Sequence, residues 1–430
     1  MAYDCPQLNE QEFQLQFGEL PFLQGEAGWF YRKRDLNMMF ALSDSVITTL
    51  SRIDQILRSR GTQLLMLPMP SKALMIPEYL PADGIMGPYF FDDALARSEA
   101  VAMLQSIEDA GINVVDLVDH ARRKLTDDER FRFFFQRDHH WRPEGASFAA
   151  EITAQWIRQF PSYAELEKTD YATNRVEEGQ VFNSNMALII EQMCGETPAP
   201  EQIDVFQTAA ENQAASAFLV DDSADGRPHI HILGSSFMNE SSPYNFAGFL
   251  REFTQLDVAT FAVPGGQADQ AIYRWSHDGR HIHSPPHFVV WEMPFMRVLN
   301  SRQDVLRRQI LPAIAGACDG DAVEVLTHDG GAELRLALSS PGVRGDRFYL
   351  AARLQNSAPA EFLITLEFAD GYAERSVIRR PNRIGPVNQL FFSLPEDAAA
   401  DLARVLISAP GTEIEGWDLY VCSFPDFASH

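Results

Sequence analysis

HIHILGSSF, residues His229–Phe237, is the segment that decides the fold class of this 430-residue chain. Its alternating, β-branched start predicts a strand that ends at Gly234, a residue that allows a tight backbone. Apolar residues at helical spacing then predict a helix within residues 239–256. Ser236 is therefore predicted at a strand-to-helix corner, at the carboxyl edge of a sheet, where open α/β sheets place their ligands.

A second segment, RDHHW at Arg137–Trp141, supplies an acid and a base two residues apart. A serine hydroxyl is a poor nucleophile until an imidazole can take its proton, and that imidazole needs a carboxylate to fix its tautomer. Ser236, His140 and Asp138 are therefore the candidate catalytic residues. Each segment has a simpler interpretation, because Gly-Ser-Ser is common in turns and Asp-His-His-Trp could be a partly buried histidine or a fragment of a metal site.

The pattern of apolar and turn residues along the rest of the sequence predicts two kinds of architecture. Strands alternate with helices up to about residue 300, which predicts a mostly parallel sheet with helices on both faces. Residues 165–226 are polar and acidic, and predict an insertion or lid with little regular structure. From about residue 323, short alternating strands separated by Gly, Pro and Asp predict an antiparallel β-sandwich. The predicted domains are residues 1–300 and 323–430, joined by a connector at 301–322.

The net charge of the chain limits the classes of partner that it is expected to bind. A formal net charge of −25 argues against nucleic acid and against an anionic membrane surface. No apolar run approaches a membrane-spanning length, and the first residues lack the features of a signal peptide. Basic residues concentrate at Arg375, Arg379, Arg380 and Arg383, and residues 301–430 contain no lysine. The guanidinium fork suits two-point binding of a uronate carboxylate, although a solvated basic strand edge is the alternative.

The chain resembles the periplasmic alginate O-acetyltransferases of the SGNH-hydrolase-like group, including those with a C-terminal carbohydrate-binding module. That family carries an Asp-x-His-Trp signature upstream of a Gly-x-Ser-[Phe/Tyr] signature. Residues 138–141 and 234–237 match both. Similar landmarks are, in order, GEAGWF at 25–30, LPMPSK at 67–72 and WEMP at 291–294. Two positions depart from the pattern: Ser235 stands where relatives often have Asp or Thr, and Arg142 occupies the predicted helix N-cap, where a small polar residue is expected.

The resemblance implies further assignments. The oxyanion would be bound by the backbone N–H of Ser236 and by that of Gly265 or Gly266, although an ordinary turn explains these glycines equally well. Asn239 and Asn245 are alternative side-chain donors. The resemblance pairs Cys5 with Cys194 and Cys318 with Cys422, whereas four buried free thiols are the alternative. Such bridges suit an oxidising compartment, and the resemblance implies the periplasm. The arginines, with exposed Tyr372 and Trp417, would bind polysaccharide.

The resulting hypothesis is a polysaccharide O-acetyltransferase that works through an acetyl-serine on Ser236, without a metal or cofactor. Its acceptor would be an anionic, alginate-like polysaccharide held by the second domain. A membrane-bound acyltransferase partner would deliver the acetyl group, and other periplasmic secretion proteins would be partners. Two alternatives remain open: an acetylesterase that uses the same three residues, and a non-catalytic polysaccharide-binding scaffold.

Overall fold

The computed structural model describes residues 3–16, 22–182, 184–211, 227–295, 299–331, 333–355, 358–380, 383–385 and 387–427. Its helices are α1 (Gln11–Gln16), α2 (Asp44–Ser59), α3 (Lys72–Met75), α4 (Asp93–Asp109), α5 (Leu117–Lys124), α6 (Asp127–Phe131), α7 (Pro143–Ile157), α8 (Pro161–Glu165), α9 (Asn185–Cys194), α10 (Phe246–Thr254), α11 (Gln270–His277), α12 (Arg280–His283), α13 (Gln303–Val305) and α14 (Leu311–Ala315). Short 3-10 turns cover Pro6–Asn9, Glu26–Gly28, Lys33–Leu36, Pro77–Tyr79, Ser236–Met238, Leu299–Arg302 and Gly345–Arg347, and a π-helical turn covers Leu306–Ile310.

The strands are β1 (Phe22–Gln24), β2 (Phe30–Arg32), β3 (Gln63–Met69), β4 (Ile85–Met86), β5 (Tyr89–Phe90), β6 (Asn113–Val114), β7 (Tyr171–Phe182), β8 (Glu201–Ala210), β9 (Ile230–Gly234), β10 (Val258–Ala262), β11 (Phe288–Pro294), β12 (Glu324–His328), β13 (Glu333–Ala337), β14 (Phe348–Leu354), β15 (Glu361–Phe368), β16 (Ala373–Arg379), β17 (Gln389–Ser393), β18 (Leu402–Ser408) and β19 (Trp417–Ser423). The chain forms two compact units that alternate along the sequence. One contains residues 1–42, 64–264 and 286–298, and the other contains residues 43–63, 265–285 and 299–430.

The first unit is built on a five-stranded sheet in the order β10-β9-β11-β3-β6. The pairs β10–β9, β11–β9 and β3–β6 are parallel, so β9, β10 and β11 end at a common carboxyl edge. Every residue of β9 and β11 is buried, as expected for central strands covered on both faces. The predicted α/β fold of this region is confirmed.

The segment predicted to be an irregular insertion is partly regular, so that prediction is wrong for residues 171–210. Strands β7 and β8 pair into a long antiparallel ribbon, and α9 lies between them in sequence. Strand β7 is exposed on both faces over much of its length, so its sequence lacks the apolar alternation that identifies a half-buried strand. Residues 212–226 of the predicted insertion lie outside the described residues.

The second unit contains the predicted antiparallel sandwich, which is confirmed. Its two four-stranded sheets have the orders β12-β19-β14-β17 and β13-β18-β15-β16. Side chains from both sheets share one apolar core that includes Phe362, Phe392 and Val405. The expectation that Trp417 is exposed is wrong: the indole is fully buried in this core, and its Nε1 donates to the Gly331 carbonyl. Tyr372 is exposed, as expected.

Both implied disulfides are present, Cys5–Cys194 in the first unit and Cys318–Cys422 in the second. The first joins the amino-terminal segment to the last residue of α9. No helix in the described part of the chain is long and apolar enough to cross a bilayer. The division into domains at residues 300 and 323 stays a prediction, because α2 and residues 265–285 group with the sandwich in the second unit.

Candidate active site

Ser236 lies at the carboxyl end of β9, at the edge where the strands of the sheet end. It begins a 3-10 turn, Ser236–Met238, and the helix predicted within residues 239–256 follows as α10 at Phe246–Thr254. Gly234 is required at the strand end, since a Cβ there would lie 2.5 Å from Met238 Cγ and 2.8 Å from Glu292 Oε2. The buried Glu292 carboxylate of β11 accepts the Ser235 N–H at 2.6 Å, which fixes the backbone just before Ser236.

The acid and the base are carried on a short hairpin, residues 133–142. The Phe135 N–H donates to the His140 carbonyl at 3.1 Å and the Arg142 N–H donates to the Phe133 carbonyl at 2.9 Å. Helix α7 begins directly after the hairpin and packs against it through Gly145, where a Cβ would lie 2.3 Å from the Phe133 carbonyl oxygen. Residues 137–140 form the tip of this closely packed hairpin and carry the acid and the base.

The structure brings the three predicted catalytic side chains together. His140 Nε2 lies 2.7 Å from Ser236 Oγ, and His140 Nδ1 lies 2.6 Å from Asp138 Oδ1. The His140 backbone N–H also donates to Asp138 Oδ1, at 2.9 Å. Ser236 and His140 are half-buried, whereas Asp138 is buried. The Ser236 hydroxyl therefore lies at the more accessible end of this row of three side chains, and the Asp138 carboxylate lies at its buried end.

The charge state of Asp138 determines the direction of these bonds. Burial alone raises the pKa of a carboxyl group, but hydrogen bonds from His140 and Ser184 to Asp138 favour its ionised form, and the pKa of Asp138 lies well below its usual value. An ionised carboxylate only accepts hydrogen bonds, so His140 carries its proton on Nδ1. The free lone pair of Nε2 then faces the Ser236 hydroxyl, which is the arrangement that a general base requires.

Aromatic rings enclose His140. Tyr244 stacks on it with ring centroids 5.3 Å apart, and Phe237 lies at 5.0 Å. Burial raises the pKa of the Tyr244 hydroxyl, so this ring stays neutral. The ring of His139 lies against that of His140 in a tilted arrangement, with centroids 3.8 Å apart, and burial followed by the positive charge of Arg32 holds the pKa of His139 well below its ordinary value. The base is therefore flanked by uncharged rings.

Three residues that the motifs did not single out for a role hold the hairpin. The Ser184 hydroxyl donates to Asp138 Oδ2 at 2.5 Å. The Glu201 carboxylate accepts the backbone N–H groups of Gln136 at 2.9 Å and Arg137 at 2.8 Å. Lys72 is fully buried, and its ammonium donates to the carbonyls of Phe30 at 2.7 Å and Gln136 at 3.1 Å.

Only Lys72 had a sequence signal, as the end of the LPMPSK landmark. Burial lowers the pKa of its amino group to about 8. Arg142, the unusual residue at the N-cap of α7, makes no capping bond and instead donates to the Gln202 carbonyl of β8 at 2.9 Å. The ribbon and the residues around it therefore support the hairpin from outside the motif.

The additional oxyanion donors stay predictions. Gly265 has φ +69°, and a Cβ there would lie 2.2 Å from Arg383 Nη1, so this glycine permits close approach of an arginine. Gly266 is buried beside it. The Asn239 amide donates to Ser241 Oγ at 2.9 Å and the Asn245 amide donates to Thr208 Oγ1 at 3.2 Å, so both are already engaged.

One group of three potential metal ligands occurs among the described residues, namely Asp138, His139 and His140, whose ligand atoms lie within 4.8 Å of one another. Within this group Asp138 Oδ1 and His140 Nδ1 already bond to each other at 2.6 Å. The donor set therefore fits a hydrogen-bonded acid–base pair better than a coordination sphere.

The predicted substrate-binding arginines occupy different environments in the second unit. Arg375 is exposed on β16 and, within the described part of the chain, has no carboxylate partner. Arg379 is exposed and bonds Glu361 at 2.6 Å. Arg383 is exposed and lies against Gly265. Arg380 is buried, and its guanidinium donates to the carbonyls of Val387 and Gln389. Because the guanidinium of Arg380 is buried and already hydrogen-bonded within the protein, its predicted role in ligand binding is not supported.

Comparison with known proteins identifies the family. The family described as "SGNH hydrolase-like domain, acetyltransferase AlgX" matches residues 22–295, which include the hairpin and the Ser236 turn. The alginate biosynthesis protein AlgX of Pseudomonas fluorescens is 26% identical over 424 residues, covering 94% of this chain and 84% of that protein. A protein from Pseudomonas aeruginosa named probable alginate O-acetylase AlgJ is 26% identical over 295 residues, covering 66% of this chain and 68% of that protein.

Solved structures support the same fold. The structure of Pseudomonas aeruginosa AlgX superposes with a TM-score of 0.76 at 24% identity and covers 94% of each chain. The O-acetyltransferase domain of Pseudomonas putida AlgJ gives a TM-score of 0.50 at 19% identity, covering 64% of this chain and 92% of that domain. The family match spans more than half of the sequence. This chain therefore belongs to the family of SGNH hydrolase-like domains of the acetyltransferase AlgX.

Proposed function

We propose that this protein is a polysaccharide O-acetyltransferase that acetylates hydroxyls of an anionic, alginate-like exopolysaccharide in the bacterial periplasm. The observation that carries the proposal is the row of short contacts from Ser236 Oγ through His140 to Asp138, at 2.7 and 2.6 Å. The relatives named for alginate biosynthesis and alginate O-acetylation support the choice of polymer and reaction. The two disulfides support an oxidising compartment.

The reaction takes place in two half-reactions. Ser236 Oγ attacks the carbonyl carbon of the acetyl donor while His140 Nε2 takes the hydroxyl proton, and Asp138 stabilises the resulting imidazolium. The backbone N–H of Ser236 holds the oxyanion. The carbon–oxygen bond to the leaving group breaks, and the leaving group takes the proton from His140, which leaves acetyl-Ser236.

In the second half-reaction a sugar hydroxyl gives its proton to His140 and attacks the acetyl-serine carbonyl. The tetrahedral intermediate collapses, Ser236 takes the proton back, and the acetylated sugar leaves. Attack by water in place of the sugar yields acetate, so hydrolysis of small acetyl esters is expected as a side reaction. A membrane-bound acyltransferase is the proposed source of the acetyl group, because the donor must be supplied outside the cytoplasm.

The outer face of the sheet β13-β18-β15-β16 is the proposed polysaccharide surface. The strand register aligns Arg335, Leu406, Thr365 and Arg375 across the four strands. Arg335 and Arg375 therefore lie at the two ends of this row, about 14 Å apart, because neighbouring strands lie about 4.8 Å apart. Between them lies a depression of about 420 Å³ lined by Leu363, Thr365 and Leu406. Apolar and hydroxyl groups flanked by guanidinium groups suit a sugar chain that carries carboxylates.

The test is incubation with an activated acetyl ester and mannuronate oligomers, followed by mass spectrometry of the oligomers. Wild-type protein is expected to acetylate the oligomers, and Ser236→Ala to give neither acetylated product nor ester hydrolysis while it folds normally. The neighbouring variant Ser235→Ala is the matched control. Hydrolysis without acetylated product would instead indicate an acetylesterase, and oligomer binding without any reaction would indicate a scaffold.

A further inference from the structure

Asp138 is held from a second side by a residue outside both motifs. Its Oδ1 faces His140, whereas its Oδ2 accepts the Ser184 hydroxyl at 2.5 Å. Asp138 and Ser184 are both buried, so water does not compete for this bond. Forty-six residues separate the two in sequence. The bond therefore depends on how the ribbon and α9 fold over the hairpin.

The geometry around Ser184 fixes the direction of its hydroxyl proton. Ser184 is the N-cap of α9, and its Oγ accepts the backbone N–H groups of Met186 at 3.1 Å and Ala187 at 3.2 Å. Both lone pairs of the oxygen are thereby occupied, so the hydroxyl hydrogen must point to an acceptor. The two acceptors in reach are Asp138 Oδ2 at 2.5 Å and the Arg137 carbonyl at 3.5 Å, and the ionised carboxylate is the nearer and stronger one.

Helix α9 itself is anchored. Its buried Met186 and Ile190 pack in an apolar cluster with Leu8 and Phe22, and its last residue, Cys194, is bonded to Cys5. The helix therefore has little freedom to carry Ser184 away from Asp138. A rigid donor on the far side of the carboxylate limits its rotation, and so keeps Oδ1 aligned with His140 Nδ1.

We infer that Ser184 is a positioning residue that holds Asp138 in the orientation needed to fix the tautomer of His140. It acts through the acid and does not contact the reacting atoms. The inference rests on the proposed function, because a fixed imidazole tautomer matters only if His140 serves as the base. Losing a buried hydrogen bond to a charged group is expected to lower kcat on the order of tenfold to a hundredfold.

The experiment compares wild-type protein with Ser184→Ala, Ser184→Gly and Ser184→Thr. Glycine is nearly as good an N-cap as serine, so Ser184→Gly removes the hydroxyl with little loss of helix stability even if Ser184→Ala folds poorly. Threonine keeps the hydroxyl. Ser43→Ala is the matched control, since the Ser43 hydroxyl caps α2 by accepting the Val46 N–H and has no acidic partner among the described residues.

Two readouts are measured: kcat and KM for ester hydrolysis, and the downfield proton resonance of His140 Nδ1–H. Ser184→Ala and Ser184→Gly are expected to lower kcat with little change in KM and to shift or broaden that resonance, whereas Ser184→Thr and Ser43→Ala retain both. Wild-type kcat and an unchanged resonance in Ser184→Gly would overturn the inference, as would a loss in Ser184→Thr equal to that in Ser184→Gly. If the wild-type protein turns over no ester, the proposed function fails, and the resonance alone still decides whether Ser184 orients the pair.

Discussion

The hairpin at residues 133–142 carries the proposed acid and base, and the outer face of the sheet β13-β18-β15-β16 carries the proposed polysaccharide-binding residues. The two regions differ in how firmly the protein holds these side chains. On the hairpin, Asp138 is buried and accepts three hydrogen bonds, from the His140 backbone, the His140 ring and Ser184. On the sheet face, Arg375 is exposed and has no acidic partner in the described part of the chain, and Arg335 bonds only the exposed Glu333, at 3.3 Å. The proposed catalytic groups are therefore held by hydrogen bonds within the protein before substrate arrives, whereas the proposed binding groups are exposed and accessible to a polymer.

This difference has an energetic basis. A general base must be held within about 0.5 Å of its productive position relative to its proton donor, so the protein orders the site in advance through buried hydrogen bonds. A surface that binds a polymer needs only charge and approximate spacing, and exposed ion pairs there contribute little to folding. Mutations should therefore have large effects in the hairpin and small ones on the sheet face.

The largest effect is expected for Asp138→Asn, which tests whether the buried carboxylate of the hairpin is needed by the proposed base. An amide keeps the size of the side chain but can donate to Nδ1, so the imidazole takes the wrong tautomer and Nε2 is protonated. We expect kcat for ester hydrolysis to fall by about 10³–10⁴-fold. The exposed Asp128→Asn is the control. A loss below about tenfold would mean that the carboxylate does not serve the base.

A smaller effect, on stability, is expected from Lys72, which donates to the carbonyl of Gln136 in the hairpin. The pKa of this lysine falls from 10.5 to about 8 on folding, so the unfolded state binds more protons between these values and wild-type stability rises with pH there. Relative to Lys72→Met, the free energy of unfolding of the wild type should rise by about 2 kcal/mol from about pH 7.5 to about pH 9.5.

Urea denaturation at the two pH values measures this change. The comparison with Lys72→Met cancels the titration of the other lysines and tyrosines. Parallel stability curves for the two proteins would show that the pKa of Lys72 is not lowered on folding.

The smallest effect is expected on the sheet face, where Arg375→Ala should weaken binding of mannuronate oligomers by about threefold to tenfold without changing ester hydrolysis. Loss of one exposed guanidinium–carboxylate contact is worth only about 1 kcal/mol. Titration calorimetry measures the affinity. Arg379→Ala is the matched control, because Arg379 lies on the same strand but is paired with Glu361 at 2.6 Å. Equal losses in the two variants would argue that net charge, rather than this row of residues, binds the polymer.

The same contrast explains what the sequence could predict. Asp138 and His140 are two residues apart, and Ser236 follows a strand with a clear apolar pattern, so local rules were enough to propose the three residues together. The mostly parallel sheet was predicted from the alternation of strands and helices. The contacts that hold these residues could not be predicted from the sequence, because Ser184, Glu201 and Glu292 bind partners 46, 64 and 57 residues away.

Burial was also hard to infer on the arginine-rich strand. Arg375, Arg379 and Arg380 are close in sequence, yet the first two are exposed and the third is buried. Side chains alternate across a strand, and Arg380 follows the last residue of β16, so its environment depends on its contacts with the carbonyls of Val387 and of Gln389 at the start of β17. A cluster of like charges in sequence does not by itself define a common surface.

The most direct test of the central claim is to detect the acetyl-enzyme. Wild-type protein would be mixed with an acetyl ester in the absence of sugar, quenched in acid and digested, and the peptides analysed by mass spectrometry. The proposed mechanism predicts an acetyl group on Ser236 that is absent from His140→Ala and disappears when mannuronate oligomers are added before quenching. Acetylated oligomers formed with no acetyl group ever detected on Ser236, or with the label on another residue, would contradict it.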